Sequence, residues 1–368
     1  MKKGWKYLNF EDCLEKVVFT TKILSKDYLS DGEFPIVSQE EGLISGYWNK
    51  REDLFRLKKP VVLFGDHTRV LKYVDFDFVI GADGVKILQP IEQLFAKFLY
   101  YFLQWYKVPS LGYSRHYKLL KEITVPIPPV DVQKEICSLL DKLNLLIEKK
   151  KEQIAELDNL AQSLFYDMFG DPITNEKGWS VKKMGEVCQI DRGGSPRPID
   201  QYITDDPKGI NWIKIGDATD GGMVIKTVKE KIRPEGVKKS RFVHKGDFLL
   251  SNSMSFGKPY ILGVDGCIHD GWLVISDEKE VFDKVFLYYF LGSPQTYECF
   301  KKMAVGGVVN NLNKEMVKKL NVMIPTQSHQ QAFAKKVEAI ELQKKIINMS
   351  IKDVQTLLDA KMDYYFGE

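Results

Sequence analysis

The sequence contains few cysteines and histidines, and neither residue type forms a cluster. There is no CxxC pair, and the odd number of cysteines argues against a framework of disulfide bonds. The histidines give no HExxH motif and no spacing typical of metal ligands. These absences exclude a zinc ribbon and predict a reducing, cytoplasmic location. The cysteines are Cys13, Cys137, Cys188, Cys267 and Cys299.

The usual catalytic motifs are missing as well. There is no GxGxxG, no GxxxxGK(S/T), no GxSxG and no NPPY-type tetrapeptide. A metal-dependent nuclease would need clustered acidic residues together with a lysine at a fixed spacing. The segment Asp217-Ala218-Thr219-Asp220 has no such lysine and reads as a turn. We therefore expect a chain with no catalytic activity, no bound cofactor and no metal.

Long apolar runs are absent too. None approaches the roughly 18 residues that a membrane-spanning helix requires, and the first residues lack the apolar core of a secretory signal. We expect no membrane association. The chain has 368 residues, of which 44% are hydrophobic. Because single cores stop growing at about 250–300 residues, this composition predicts two folded domains.

An internal duplication organises the sequence. The dipeptide Gly4-Trp5 of the first half matches Gly178-Trp179 of the second. The hexapeptide FLYYFL occurs at 98–103 and again at 286–291. The separation between matching positions grows along each half, so insertions accumulate there.

The end of each half repeats without gaps. Ile127-Pro128 matches Ile324-Pro325, and Phe169-Gly170 matches Phe366-Gly367, in both cases 197 positions apart. Each half thus consists of a long variable segment followed by a short regular one. The predicted boundaries are 1–128, 129–170, 179–325 and 326–368.

The two short segments have the apolar spacing of coiled-coil helices. Packing of one helix on the other would bury both apolar seams, although each helix could instead pack on its own domain. We predict N-caps at Asp131 and Ser328. The predicted seam comprises Ile136, Leu140, Leu143, Ile147, Ile154 and Leu157 in the first helix, and Val337, Ile340, Ile347, Ile351, Val354 and Leu358 in the second.

The two long segments have short apolar runs bounded by Gly, Asp and Pro, which is typical of strands. Residues 95–105 and 286–291 are expected to form helices packed on sheets. The predicted fold class is α+β, with two mixed α/β domains separated by an antiparallel pair of long coiled-coil helices and related by a pseudo-two-fold. The net charge of +3 comes from mildly basic long segments, a weak indication of nucleic-acid binding.

The order of these features resembles the specificity subunit of Type I restriction-modification systems over essentially the whole chain. The resemblance is carried by Val125-Pro126-Ile127-Pro128-Pro129 with Gln133, and by Val322-Met323-Ile324-Pro325 with Gln330. The Gly-rich loop 190–196 and the segment 209–217 are similar to family motifs in the second half. The first half departs from that pattern, since it reads Thr20-Thr21-Lys22 where the Gly-rich loop would stand.

The resemblance implies a division of labour. Each variable segment would be a target-recognition domain for one half of a split, asymmetric site in double-stranded DNA, and the helices would set the spacing. Two methyltransferase subunits and the restriction and translocase subunits would be the partners. S-adenosylmethionine, ATP and Mg²⁺ would bind those partners, and this chain would bind none of them.

The candidate DNA-binding residues are polar or basic side chains on loops, since arginine and lysine can bind guanine and asparagine can bind adenine. Two segments at corresponding places, 113–118 and 306–311, lie where the family places a recognition loop. The set comprises His67, Arg69, Tyr113, Ser114, Arg115, His116 and Lys118 in the first half, and Arg192, Ser195, Arg197, Lys214, Asn252, Ser253, Ser255, Lys258, Asn310 and Asn311 in the second.

Two other functions fit the sequence alone. The chain could be a scaffold that dimerises through its helices and binds protein rather than DNA. It could also be the specificity subunit of a restriction enzyme of another type, which would share this architecture.

The helices offer a direct test of the spacing role. Inserting four residues after Lys151 adds one helical turn, about 6 Å, which corresponds to roughly two base pairs. We expect the recognised spacer to lengthen by about one to two base pairs while both half-sites stay the same. Sequencing of methylated sites measures the spacer. An active insertion mutant with an unchanged spacer would show that the helices do not set this distance.

Overall fold

A computed structural model of the chain describes residues 2, 4–82, 84–218, 222–253, 256–304 and 311–367. The first part contains strands β1 (Lys6–Asn9), β2 (Lys22–Ile23), β3 (Phe34–Val37), β4 (Gly46–Trp48), β5 (Leu54–Phe55), β6 (Val61–Gly65), β7 (Leu71–Val74), β8 (Phe78–Gly81), β9 (Val85–Leu88) and β10 (Thr124–Ile127). Its helices are α1 (Ala96–Tyr106), α2 (Tyr117–Leu120) and α3 (Val130–Phe169).

The second part begins after α3. Its strands are β11 (Ser180–Lys183), β12 (Gln189–Arg192), β13 (Ile203–Thr204), β14 (Ile210–Ile213), β15 (Val224–Ile225), β16 (Glu230–Ile232), β17 (Arg241–Val243), β18 (Phe248–Ser251), β19 (Pro259–Leu262), β20 (Gly266–Ile268), β21 (Trp272–Ser276) and β22 (Asn321–Ile324). Its helices are α4 (Met184–Val187), α5 (Pro234–Val237), α6 (Lys284–Leu291), α7 (Pro294–Ala304), α8 (Lys314–Lys319) and α9 (Gln327–Phe366).

The chain divides into two compact units, and each long helix contributes to both. Unit 1 comprises Met1–Glu152 and Ile347–Glu368, and unit 2 comprises Gln153–Ile346. Unit 1 therefore contains the first variable segment, the start of α3 and the end of α9. Unit 2 contains the second variable segment, the end of α3 and the start of α9. This mixed α/β composition with a long helix pair agrees with the predicted fold class.

Small sheets form the framework of each unit. In unit 1, β2, β8, β3 and β4 form one sheet to which β5 adds, and β7, β6 and β9 form another. In unit 2, one sheet has the order β12-β21-β18-β19-β15 and the other has β13-β16-β14-β20-β17. Strands β6 and β18 are buried along their whole length, as expected for short apolar runs that lie inside a sheet.

A separate two-stranded ribbon closes each unit and shows the duplication directly. β1 pairs antiparallel with β10, so that Lys6 lies opposite Ile127. β11 pairs antiparallel with β22, so that Ser180 lies opposite Ile324. The paired positions are those that match between the two halves of the sequence, which confirms the internal duplication at the level of strand register.

A buried glutamine joins each long helix to its domain. In unit 1, the Oε1 atom of Gln133 accepts from the backbone N–H of Phe95 at 2.7 Å, and its Nε2 donates to the carbonyls of Gln93 and Pro128. In unit 2, the Oε1 atom of Gln330 accepts from the N–H of Asp283 at 2.7 Å. Its Nε2 donates to the carbonyls of Val281 and Pro325.

The long helices run antiparallel within each unit. In unit 1, Leu140 and Leu143 near the start of α3 share a core with Leu358 and Phe366 near the end of α9. The relation is reversed in unit 2, where the end of α3 packs against the start of α9. That core contains Ala161, Phe165, Phe169, Phe333, Val337 and Ile340.

The predicted seam residues differ in burial. The end portions of the seam are buried, whereas positions nearer the middle of the helices are half-buried. The buried residues are Ile136, Leu140, Leu143, Ile147, Val337, Ile340 and Leu358, and the half-buried ones are Ile154, Leu157, Ile347, Ile351 and Val354.

The predicted N-caps were wrong by two residues. The N–H of Gln133 bonds the carbonyl of Pro129, and the N–H of Gln330 bonds the carbonyl of Thr326. The residue whose carbonyl accepts the first helical bond is the cap, so Pro129 and Thr326 hold these positions. Asp131 and Ser328 lie in the first turn instead.

Burial of the seam gives a test with a matched control on the same helix. Leu143 is 8% exposed and Leu145 is 53% exposed. Leu143→Asp places a charge in the core of unit 1 and should lower the free energy of unfolding by about 3 kcal/mol or more. Leu145→Asp should leave it nearly unchanged. Thermal or denaturant unfolding of both variants measures the difference, and equal stabilities would contradict the packing of α3 against α9.

Candidate nucleic-acid interface

The same pair of backbone hydrogen bonds holds the candidate loops in both units, and we call this pair of bonds the frame. In unit 1, Asp66 donates its N–H to the carbonyl of Gly84 and accepts from the N–H of His116, at 2.7 and 2.8 Å. In unit 2, Asn252 donates to the carbonyl of Gly271 and accepts from the N–H of Leu312, both at 2.9 Å. These bonds follow β6 in unit 1 and β18 in unit 2.

The shared frame sets the correspondence between the two recognition loops. Leu312 takes the place of His116, so Asn311 corresponds to Arg115. Order along the repeat had paired 113–118 with 306–311, which would place Val309 opposite His116. That pairing was wrong by three residues, because the loops differ in length and the sequence alone does not fix where the difference falls.

His116 is a buried support of the loop in unit 1. Its side chain is 1% exposed. Its Nδ1 lies 2.9 Å from the carbonyl oxygen of Asp66, and its Nε2 accepts from the N–H of Leu111 at 3.0 Å. Both ring nitrogens are used inside the protein, so the prediction that His116 contacts DNA was wrong. The ring instead joins the turn after β6 to the loop before α2.

The turn that contains Asp66 also binds the start of α2. The Oδ1 atom of Asp66, itself buried, accepts from the N–H of Tyr117 at 2.7 Å. The ring of Tyr113 stacks on that of His67, with ring centroids 6.0 Å apart. The two predicted segments of the first half, 65–69 and 113–118, are therefore brought together.

Exposed cations lie around this junction in unit 1. Arg115 and Lys118 are exposed on the loop and at the start of α2, and Tyr113 is fully exposed. Arg69 is also exposed and has a positive φ of 64°, an uncommon conformation outside glycine. Its Nη1 donates to the carbonyl of Val108 at 3.1 Å, which ties this turn to the segment that follows α1.

In unit 2, Asp270 contacts several of the candidate side chains. Its Oδ1 accepts from the hydroxyl of Ser195 at 2.8 Å, and its Oδ2 lies 3.5 Å from Nη2 of Arg197. Its backbone carbonyl accepts from Nε of Arg192 and from Nδ2 of Asn252, both at 2.9 Å. The Gly-rich loop is thus fastened to the turn between β20 and β21.

Asn252 has a structural role in this arrangement. It is 3% exposed, and its amide nitrogen and both backbone groups bond within the protein. Its side chain also lines the groove described below, so contact of Asn252 with DNA stays a prediction. It holds the position in unit 2 that Asp66 holds in unit 1.

Burial and neighbouring charges at this turn shift the pKa values of both His269 and Asp270. Burial lowers the pKa of His269, and nearby Lys214, Arg197 and Arg192 lower it further, against the opposing attraction of Asp270. Partial burial alone would raise the pKa of Asp270, but the Ser195 hydroxyl and the charges of His269, Arg192 and Arg197 bring it below its usual value. A carboxylate thus stands among cations at this surface.

A groove of about 410 Å³ adjoins this turn. Arg192 and Asn311, both predicted from the sequence, line it together with residues that sequence reasoning missed. Arg241 is one of these; its Nε donates to the carbonyl of Arg192 at 2.9 Å. The others are Leu312, Asn313 and Lys314 at and before the start of α8, and Asp191, whose Oδ2 lies 3.6 Å from Nη1 of Arg241; the predicted Asn252 lines the groove too. Asn, Arg and Lys side chains together form the set that reads bases and binds phosphates.

The remaining predicted residues do not all join these two surfaces. Lys214 forms an ion pair with Glu230. Lys258 is exposed but lines a different, aromatic groove with Tyr260 and Tyr297. Ser253 is half-buried, as are His67, Ser114 and Ser195. Ser255 and Asn310 lie outside the described residues.

No signal in the sequence singles out Asp270. The dipeptide Asp-Gly occurs five times in the sequence, including at 83–84 and at 270–271, and only in the folded chain do Gly84 and Gly271 accept equivalent backbone bonds from Asp66 and Asn252. A lone acidic residue carries no motif by itself, so its place in the duplication is identified only by these backbone bonds.

Neither a metal centre nor a membrane span emerges from the described residues. Within them, no group of three or more His, Cys, Asp or Glu side chains could hold a metal ion. No helix in the same ranges is both long and apolar enough to cross a membrane.

Relatives of known type match most of the chain. The specificity subunit of the EcoR124I/EcoR124II type I restriction enzyme of Escherichia coli is 22% identical over 371 residues, covering 93% of this chain and 88% of the relative. The MjaVIII specificity subunit, a type I restriction enzyme component of Methanocaldococcus jannaschii, is 24% identical and covers 66% of this chain and 60% of the relative.

Two solved structures share the fold. One was determined in work on complex assembly and conformational transition of the type I R-M system; it has a TM-score of 0.62 at 14% identity and covers 99% of this chain and 98% of its own. The other is the S subunit of a Type-I restriction-modification system from M. genitalium, with a TM-score of 0.55 at 14% identity, covering 97% and 95%.

The family model for the type I restriction modification DNA specificity domain matches twice, at residues 2–159 and 176–355. The two matches follow the internal duplication and take in both sets of framed loops. Together they span most of the chain, which therefore belongs to the type I restriction-modification DNA specificity family.

Proposed function

We propose that this chain reads a bipartite, asymmetric DNA site, with one half-site bound by each unit. The observation that carries the proposal is the repeated frame at Asp66 and Asn252, which presents different exposed side chains in the two units. Equivalent supports with unlike side chains are what two readers of different sequences require.

The first half-site would be read at the junction of the two loops in unit 1. Arg115 and Lys118 are exposed there, and Tyr113 offers a flat ring to the solvent. Arginine can bind guanine through two hydrogen bonds in the major groove, whereas lysine more often contacts phosphate. The buried His116 restricts the loop that carries these side chains, and such restriction reduces the entropy lost on binding.

The second half-site would be read at the groove in unit 2. Asn311 is the residue that corresponds to Arg115, and an asparagine amide can bind adenine through two hydrogen bonds. Arg192, Arg241 and Lys314 line the same groove and would contact phosphates or guanine. The two units would therefore prefer different bases, which makes the site asymmetric.

The proposed domain boundaries follow from this division. Residues 1–128 and 179–325 would be the recognition domains, and 129–170 and 326–368 would be the spacer helices. Two methyltransferase subunits would dock on the helices and the adjoining domain faces, and the restriction and translocase subunits would join that assembly. Support comes from exposed apolar side chains on α3 and α9, which favour protein contacts. They include Leu145, Leu146, Leu160, Leu342 and Ile346.

Chemistry would belong to the partners. S-adenosylmethionine would bind the methyltransferase subunits, which would turn the target adenine out of the helix, and ATP and Mg²⁺ would bind the translocase. We expect no methyl transfer or DNA cleavage by the purified chain alone. Adding a cognate adenine methyltransferase subunit should produce methylation at one bipartite sequence, which methylome sequencing identifies. Turnover that co-purifies with the isolated chain would contradict the proposal.

Substitutions at the two corresponding positions should separate the half-sites. Arg115→Ala should relax base preference in one half-site, and Asn311→Ala in the other, each at a cost of about 1–3 kcal/mol for the preferred base. The measurement is the affinity of the methyltransferase complex for duplexes with single base changes.

Arg56→Ala provides a matched control, because Arg56 is exposed in unit 1 but belongs to neither loop. It should leave base preference intact. If Arg115→Ala instead weakened all duplexes equally, Arg115 would be a phosphate contact and the assignment to base reading would be wrong.

A further inference from the structure

Asp270 places a negative charge at the surface where unit 2 would meet DNA. Its side chain is 30% exposed, and burial does not neutralise it, since its pKa lies below the usual value. DNA backbones repel such a charge, so its presence among the cations of a reading surface needs an explanation beyond simple affinity.

The contacts of Asp270 resemble those of a bound phosphate. A hydroxyl from Ser195 and a guanidinium nitrogen from Arg197 face its two carboxylate oxygens, at 2.8 and 3.5 Å. The Nε2 atom of His269 lies 3.0 Å from Oδ1. Hydroxyl and guanidinium groups are also the common donors to DNA phosphates. In the free chain, Asp270 occupies donors that a phosphate could otherwise use.

We propose that Asp270 is a specificity-determining residue of unit 2, whose carboxylate fixes the Gly-rich loop and disfavours phosphate binding at that loop. The inference rests on the proposed DNA-reading function. A duplex without the matching bases gains little besides phosphate contacts, so repulsion by Asp270 lowers its affinity. A matching duplex also gains base contacts from the loop that Asp270 holds in place, so the carboxylate widens the difference between the two.

The sequence repeats the feature. Asp83 precedes Gly84 as Asp270 precedes Gly271, and the two glycines are equivalent in the frame described above. Asp83 lies outside the described residues, so the argument concerns Asp270, and the recurrence shows only that both halves carry an acidic residue at this place.

The test compares Asp270→Asn with Glu298→Gln. Each removes one negative charge from unit 2, but Glu298 is exposed on α7 and pairs with Lys301. The complex with an adenine methyltransferase subunit is titrated with two duplexes at several salt concentrations. One carries the recognition sequence that methylome sequencing identifies, and the other is a scrambled duplex of equal length and composition.

Asp270→Asn should raise the affinity for the scrambled duplex about threefold at low salt, from the loss of one unit charge near a phosphate. The ratio of specific to scrambled affinity should fall accordingly. Glu298→Gln should leave the ratio unchanged, and Asp270→Glu, which keeps the charge, should retain most of it. If the ratio of specific to scrambled affinity stayed unchanged in Asp270→Asn, including through an equal loss of affinity for both duplexes, the inference would be overturned.

A second variant covers the case in which Asp270→Asn does not fold. Ser195→Ala keeps the charge and removes only the hydroxyl that joins the loop to Asp270, so it should weaken the specific duplex and leave the scrambled one unaffected. Equal weakening of both duplexes would count against the inference. Binding of DNA by the wild-type complex with no salt dependence would contradict the proposed function itself, independently of either variant.

Discussion

The attachment of each long helix to its domain depends on one buried glutamine. Gln133 and Gln330 are fully buried, and each uses its acceptor and both amide hydrogens on backbone groups. Those groups belong to the segment that leads into α1 or α6 and to the proline region before the helix. Because unsatisfied buried polar groups cost about 1–3 kcal/mol each, no apolar side chain can replace this amide without loss. The glutamine therefore fixes where the FLYYFL helix lies on the long helix in both units.

Beyond this attachment, the two units share their backbone framework but differ in the side chains that they carry on it. The β1–β10 and β11–β22 ribbons have matching register, and the turns after β6 and β18 make matching backbone bonds. The side chains at those turns differ, with Asp66 and His116 in one unit and Asn252 and Leu312 in the other. In unit 1 a buried imidazole holds the loop before α2, whereas in unit 2 Asp270 and Ser195 hold a different segment, the Gly-rich loop.

The sequence predicted what depends on periodicity and repetition. The helices, their packing on each other and the duplication follow from apolar spacing and from matching segments, which are long-range patterns. Individual roles at the loops could not be predicted in this way. His116 and Asn252 are polar residue types that serve equally well at a surface or in a buried hydrogen-bond network, and only the folded contacts separate the two. The loop correspondence failed because insertions of different length leave the register undetermined, and Asp270 was missed because no local motif surrounds it.

The exchange of helix ends between the units has a consequence for synthesis. Unit 2 is complete once Ile346 has been made, whereas unit 1 needs residues 347–368. In unit 1, Phe366 packs on Phe98 and Phe102, and Lys2 bonds the carbonyls of Tyr364 and Tyr365. Domains usually fold in the order in which they leave the ribosome. Here unit 1 is translated first but is the last to complete its core. Its apolar helix α1 is covered only after the end of α9 has been synthesised.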